Sequence, residues 1–332
     1  MTRSSTTFGI ILTLASLTGG TAVHAQARPG QADIETRDSA GALVPMDVEV
    51  GRKIEQLAED ARSHPNDGRT LARYGLALVR TGRLDDGLAA LTRAVVLAPE
   101  EPLVNLSHAK GLWKGGYSSE AVTAALKVVD SPLSTSKDRA EAYFVAGTIR
   151  SMQGDFDAAE EFLRKSIEAN PKNVGALLNL GLMLVSREKR SEGLALLDKA
   201  RTHGPDNARV HATFAQVSEQ LGHLGNAIVS WERVAELRPA DPNIHLRLGG
   251  SYMGSQEFEK AARSFATLVE LEPENGTYYL AYGEALLRLR LYDEAMEQAK
   301  TAAQLGEAAD SLVSAIRFER KQYYDASTAA GQ

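Results

Sequence analysis

The sequence predicts an all-α fold: an α-solenoid of about seven tandem helix-turn-helix units in a superhelix, closed by a C-terminal capping helix. Three observations predict it. Prolines stand 34 residues apart at Pro65 and Pro99 and again through Pro171, Pro205, Pro239 and Pro273, with 72 residues, two periods plus four, between Pro99 and Pro171. Each period carries two amphipathic stripes. Small residues also return at two fixed phases. A period in the range of about 20–50 residues marks a stacked-repeat architecture, because one such unit cannot bury its own apolar face.

With each proline set at place 32, repeats begin at Gly68, Pro102, Ala140, Val174, Ala208, Pro242 and Gly276. Places 4, 7, 8 and 11 are mostly apolar or small, the i, i+3, i+4, i+7 stripe of a helix. In the fourth repeat they are Leu177, Leu180, Gly181 and Leu184. Places 17, 20, 24 and 27 form a second stripe, seen in the sixth repeat as Phe258, Ala261, Phe265 and Leu268. A turn near place 15 separates the two helices. Place 8 holds Gly75, Ala109, Gly147, Gly181, Ala215, Gly249 and Gly283; place 20 holds Gly87, Ala121, Ala159, Gly193, Ala227, Ala261 and Ala295. Only Gly or Ala at both phases lets the two backbones approach to the short end of the usual helix spacing of about 8–10 Å.

With large and small residues in this register, residues 68–309 resemble the tetratricopeptide repeat (TPR) family. The departures are local. Pro132 comes one place early in the second repeat, four extra residues follow within "SPLSTSKD", and Glu307 stands where the seventh repeat would carry proline.

Residues 1–25 read as a cleavable signal peptide: Arg3, then an apolar run from Phe8 to Leu17, then Val23 and Ala25 before a cut at Gln26. The run of about ten apolar residues is too short to span a bilayer. Export to a bacterial periplasm is the expectation, with no insertion of the mature chain into the membrane. Without cysteine the chain has neither disulfides nor a lipid-modified cysteine anchor. Residues 26–45 lack periodicity and are expected to be a flexible arm. Residues 46–67 read as a degenerate half-repeat ending at Pro65, residues 310–324 as the capping helix and residues 325–332 as a flexible tail. "SPLSTSKD" reads as a longer loop.

The net charge of −6 gives no reason to expect nucleic acid. Enzymatic activity is not expected either. There is no phosphate-binding glycine loop or dinucleotide fingerprint, no nucleophile elbow, and no His pair at i, i+4 for a metal, so no cofactor is implied. His211 and His245 occupy place 4, a core position, and read as packed side chains. Asn105 and Asn275 head sequons that fall within repeat helices or turns.

The family resemblance implies a concave groove walled by the first helix of each repeat, with places 2, 5, 6, 9, 12 and 13 facing it. Those places give Arg69, Arg73, Lys110, Trp113 and Lys114, then Phe144, Leu178, Asn179 and Leu182, then Gln216 and Arg247. The wall thus runs from basic through apolar to mixed. The resemblance implies a protein or peptide partner, here an extended or helical segment with apolar anchors and an acidic flank. The two-carboxylate clamp of some relatives is not met: Asn179 fits, but Phe144 and Thr148 precede it and Arg209 and Thr213 follow. Assembly of an envelope machine such as a pilus or export system is the process implied. The alternative is a role in polysaccharide export or glycan binding, which a groove rich in Trp and Tyr would favour; Trp113 alone stands clearly on it.

Overall fold

A computed structural model describes residues 35–37 and 43–330 of the chain, with side chains from 49 to 325. The expected export segment, 1–25, lies outside the described residues. The chain divides into two compact units, Met1–Gln56 and Leu57–Gln332.

In the first unit, strand β1 (Glu35–Arg37) pairs antiparallel with β2 (Leu43–Pro45), Thr36 opposite Val44. The arm expected to be flexible therefore contains a short hairpin. Three-residue strands are too brief to register as periodicity, while the sequence between them, Asp-Ser-Ala-Gly-Ala, is rich in turn formers. Helix α1 (Met46–Ser63) follows β2 directly.

The second unit is a helical-repeat solenoid of seven helix pairs. In order they are α2 (Gly68–Arg80) with α3 (Leu84–Leu97), α4 (Pro102–Lys114) with α5 (Ser118–Asp130), and α6 (Ser136–Met152) with α7 (Phe156–Ala169). Next come α8 (Val174–Ser186) with α9 (Arg190–His203) and α10 (Ala208–Gln220) with α11 (Leu224–Leu237). Last are α12 (Pro242–Gly254) with α13 (Phe258–Leu271) and α14 (Gly276–Arg288) with α15 (Tyr292–Gln304). Six of the seven first helices start at the residue the proline register assigns. Their starts are set by local chemistry: Asp67, Asn173, Asn207 and Asp241 cap backbone N–H groups with their side chains, while Pro102 and Pro242 sit at the first helical position.

The third repeat departs from the loop expectation. Its four extra residues do not lengthen a loop; they add one turn to the N-terminus of α6. Thr135 and Asp138 form a capping box there, the Thr135 oxygen accepting from Asp138 N at 3.2 Å and Asp138 Oδ2 accepting from Thr135 N at 2.9 Å. Three and six-tenths residues make a turn, so an insertion of four keeps the apolar face of α6 in phase.

Every turn between paired helices passes through the left-handed region at place 15: Gly82, Gly116, Gly154 and Gly222, but also Glu188, Gln256 and Arg290 at φ of 62–63°. The phase-locked small residues lie where the backbones meet. A Cβ on Gly193 would stand 2.6 Å from the carbonyl oxygen of Gly181, and one on Gly75 2.9 Å from that of Gly87. The array ends on α16 (Asp310–Ala330), which buries Ile316 and lays Leu312 over Gly283. This helix runs on through residues 325–330, which were expected to begin a flexible tail.

Candidate binding wall

The first helices stand side by side, α2 on α4, α4 on α6 and α6 on α8. Polar side chains cross between such neighbours. Arg69 Nη2 lies 2.9 Å from Glu101 Oε2, and this hydrogen bond, then the carboxylate charge, holds the guanidinium more firmly protonated. Lys110 Nζ lies 2.7 Å from Glu141 Oε1 on α6. Asn179 Nδ2 donates to Thr148 Oγ1 at 3.0 Å, and Thr148 in turn donates to the Phe144 carbonyl at 2.8 Å. Arg247 stands 3.7 Å from Glu219 Oε2. These four candidates are thus fastened to the neighbouring repeat. Pairs this exposed contribute little to stability, but they fix where the donors sit.

Arg73, Lys114 and Gln216 stay exposed, and Trp113 is half-buried. The apolar candidates divide. Leu182 is 37% exposed, whereas Leu178 is only 5% exposed and packs with Leu177, Leu197 and Phe214. Leu178 is therefore a core residue and no direct contact for a ligand. Phe144 is half-buried, its ring against the backbone of Gly175, where a Cβ would come within 2.8 Å of it. Met152 at 72% is the most exposed apolar side chain of the wall, and Leu103 and Leu246 also reach the surface. The last two were not picked out from sequence, although they occupy places 2 and 5 and the same place rule would have found them.

The histidines at place 4 do structural work. His211 Nε2 donates to the Pro205 carbonyl at 3.1 Å and His245 Nε2 to the Pro239 carbonyl at 2.7 Å. Asn105 and Tyr279, at the same place, donate to Pro99 and Pro273. A place-4 donor thus serves the carbonyl of the repeat-closing proline, which lies just past the C-cap of the preceding helix, outside the helical hydrogen-bond ladder. Among the described residues, no three His, Asp or Glu side chains gather as a metal site, and no helix is long and apolar enough to cross a membrane.

With the wall in place, comparison with known proteins settles the family. Two models, both of the tetratricopeptide repeat, match residues 151–217 and residues 106–174 and 246–311. The chain is a tetratricopeptide repeat protein. Neither family model describes a catalyst. Among curated relatives, peroxisome biogenesis protein 5 of Arabidopsis thaliana is 24% identical over 162 residues, covering 49% of this chain and 21% of the plant protein. The chain therefore spans about a fifth of that relative's length. Among solved structures, the TPR array is similar to the APC/C hetero-tetramer Cut9-Hcn1, with a TM-score of 0.51 and 15% identity over 71% of this chain and 46% of that one. It is also similar to YrrB, a TPR protein with an unusual peptide-binding site, at a TM-score of 0.47 and 19% identity, covering 60% of this chain and 99% of that one.

Proposed function

We propose that the TPR array is a non-enzymatic protein-binding scaffold whose first-helix wall takes a peptide segment of a partner. The observation that carries this reading is the pairing of exposed apolar side chains, Met152 and Leu182, with exposed cations, Arg73 and Lys114, on one wall of an acidic chain. The apolar pair would take anchor side chains out of water and supply most of the affinity. The cations would attract an acidic flank and speed encounter, an effect that salt weakens. The N-terminal sequence supports export, so the proposed setting is the periplasm and the proposed process assembly of an envelope machine such as a pilus or export system.

The test is a screen of labelled peptides that vary in apolar anchors and acidic flank, followed by association and dissociation kinetics. Arg73→Glu with Lys114→Glu should slow association and flatten its salt dependence. Leu182→Ala should speed dissociation. Unchanged binding by both variants, each folded by circular dichroism, would move the site off this wall.

A further inference from the structure

The first-helix wall carries few aromatic side chains, but the C-terminal end of the array gathers three tyrosines. Tyr292 begins α15, and Tyr323 and Tyr324 lie on α16. The ring centroids of Tyr292 and Tyr323 are 6.1 Å apart, and those of Tyr323 and Tyr324 5.8 Å. Tyr292 is buried at 9% exposure, whereas Tyr323 and Tyr324 are 47% and 52% exposed. Capping the array does not require these last two. Leu312 and Ile316 close it from the first half of α16, and Tyr323 comes about two turns later. Aromatic rings left half in water add little to the core and mark a surface that meets something else.

Charges stand around these rings in fixed positions. Arg320 Nη1 lies 2.9 Å from Asp293 Oδ1, and its guanidinium is 5.9 Å from the Tyr324 centroid. Arg290, in the turn before α15, places its guanidinium 5.6 Å from the Tyr323 centroid. A cation takes one face of a ring. With about half of each tyrosine still exposed, both rings keep surface for a guest. A cleft of about 450 Å³ opens here, lined by the three tyrosines, both arginines, Asp293 and Glu294. That volume falls in the range of about 300–1,000 Å³ typical of ligand sites.

We propose that this cleft binds a neutral glycan, with sugar rings packed on Tyr323 and Tyr324. The charge balance argues for a neutral guest. Arg290 and Arg320 face Asp293 and Glu294, so the cleft favours neither an anion nor a cation. The lining does offer planar donors and planar acceptors side by side. A pyranose matches both, because each hydroxyl on its rim donates and accepts, while its C–H face packs on an aromatic ring. A proline-rich peptide also lays flat rings on tyrosines. It lacks backbone N–H groups, however, and would leave the Glu294 carboxylate without a donor. None of the lining residues is a candidate of the first-helix wall, so the cleft stands or falls independently of the peptide-binding reading above.

The experiment is a titration of the whole chain, followed by amide chemical shifts. The neutral probes are cellohexaose, laminarihexaose, maltohexaose, mannohexaose and chitohexaose; hexagalacturonate and blocked hexaproline are the comparisons. Saturable shifts at Leu291, Tyr323 and Tyr324 are expected with at least one neutral sugar and not with hexaproline. Tyr323→Ala and Tyr324→Ala should each weaken that binding about tenfold, the loss of one stacked ring. Tyr324→Phe keeps the ring and should stay within about threefold of the unaltered chain. Arg73→Glu with Lys114→Glu, on the wall, should leave sugar binding unchanged. Three results would overturn the proposal: no saturable shifts with any neutral sugar, tighter binding of hexagalacturonate or hexaproline than of every neutral sugar, or full affinity in both alanine variants. Should an alanine variant fail to fold, the comparison of probes on the unaltered chain decides it alone.

Discussion

The Trp231 indole N–H donates to Glu219 Oε1 at 2.8 Å, and Ser251 of the next repeat donates to the same oxygen at 2.7 Å. One carboxylate on α10 therefore joins its own repeat, through α11, to α12. Trp231 is 3% exposed, so its donor cannot turn to water if the acceptor goes.

Glu219→Ala should accordingly cost about 1–3 kcal/mol, the penalty for a buried donor left unpaired. Glu219→Gln keeps an acceptor within reach and should cost less. Urea unfolding followed by tryptophan fluorescence reads both. Equal losses in the two variants would show that the charge, not the hydrogen bond, is what Glu219 contributes.

The turns at place 15 yield a stabilising change. Gln256 adopts φ of 63°, in the left-handed region where a side chain crowds the backbone at a cost of about 1–2 kcal/mol. Gly222 meets the same need, at φ of 78°, without that penalty. Gln256→Gly should therefore gain stability, by up to about 1 kcal/mol once the greater freedom of glycine in the unfolded chain is subtracted. Gly222→Ala should lose it. A lower Tm for Gln256→Gly would mean that its side chain makes contacts worth more than the strain.

The split between what was legible in the sequence and what was not has physical causes. Helix starts were readable because the 34-residue proline register sets the phase of each repeat, and Pro102, Pro242 and the Asn and Asp caps fix the same residues locally, within a turn. The packing phases were readable because Gly181 and Gly193 answer a purely steric demand. The extra turn of α6 was misread as a loop, since Pro132 and the serines favour turns; the Thr135–Asp138 box that starts the helix was the overlooked signal. Individual wall residues were less legible. Whether Lys110 is available depends on Glu141, 31 residues away, and whether Leu178 is exposed depends on how closely Phe214 packs beside it. Neither follows from place within one repeat.

Close approach of paired helices can be tested at Gly193. A Cβ there would stand 2.6 Å from the Gly181 oxygen and 2.7 Å from Val185 Cγ2, so Gly193→Ala should force the α8–α9 pair apart at a cost of about 1–3 kcal/mol. Gly250, also within a helix, has nothing within 4 Å of such a Cβ. Gly250→Ala should gain roughly 0.5–1 kcal/mol from helix propensity. Two variants that shift Tm in the same direction would contradict the packing.

Acid sensitivity should trace in part to His211. Burial, its largest influence, lowers the pKa of this imidazole; the Pro205 carbonyl pulls the other way, and Arg201 and Arg233 add to the lowering. His108 is lowered likewise, by burial and then by Lys127. As pH falls below about 6.5, the unfolded chain takes up protons at both sites before the folded chain does. Stability is therefore full at neutral pH and declines as pH drops toward each folded-state pKa. Each such histidine adds at most about 1.4 kcal/mol per pH unit to the slope. Place 4 of the second repeat suggests the decisive variant, because Asn105 Nδ2 donates to the Pro99 carbonyl at 2.7 Å without titrating. His211→Asn should retain the contact to Pro205 and flatten the decline between about pH 6.5 and pH 5, as read from urea unfolding across that range. An unchanged slope would show that His211 takes up its proton as readily in the folded chain as in the unfolded one.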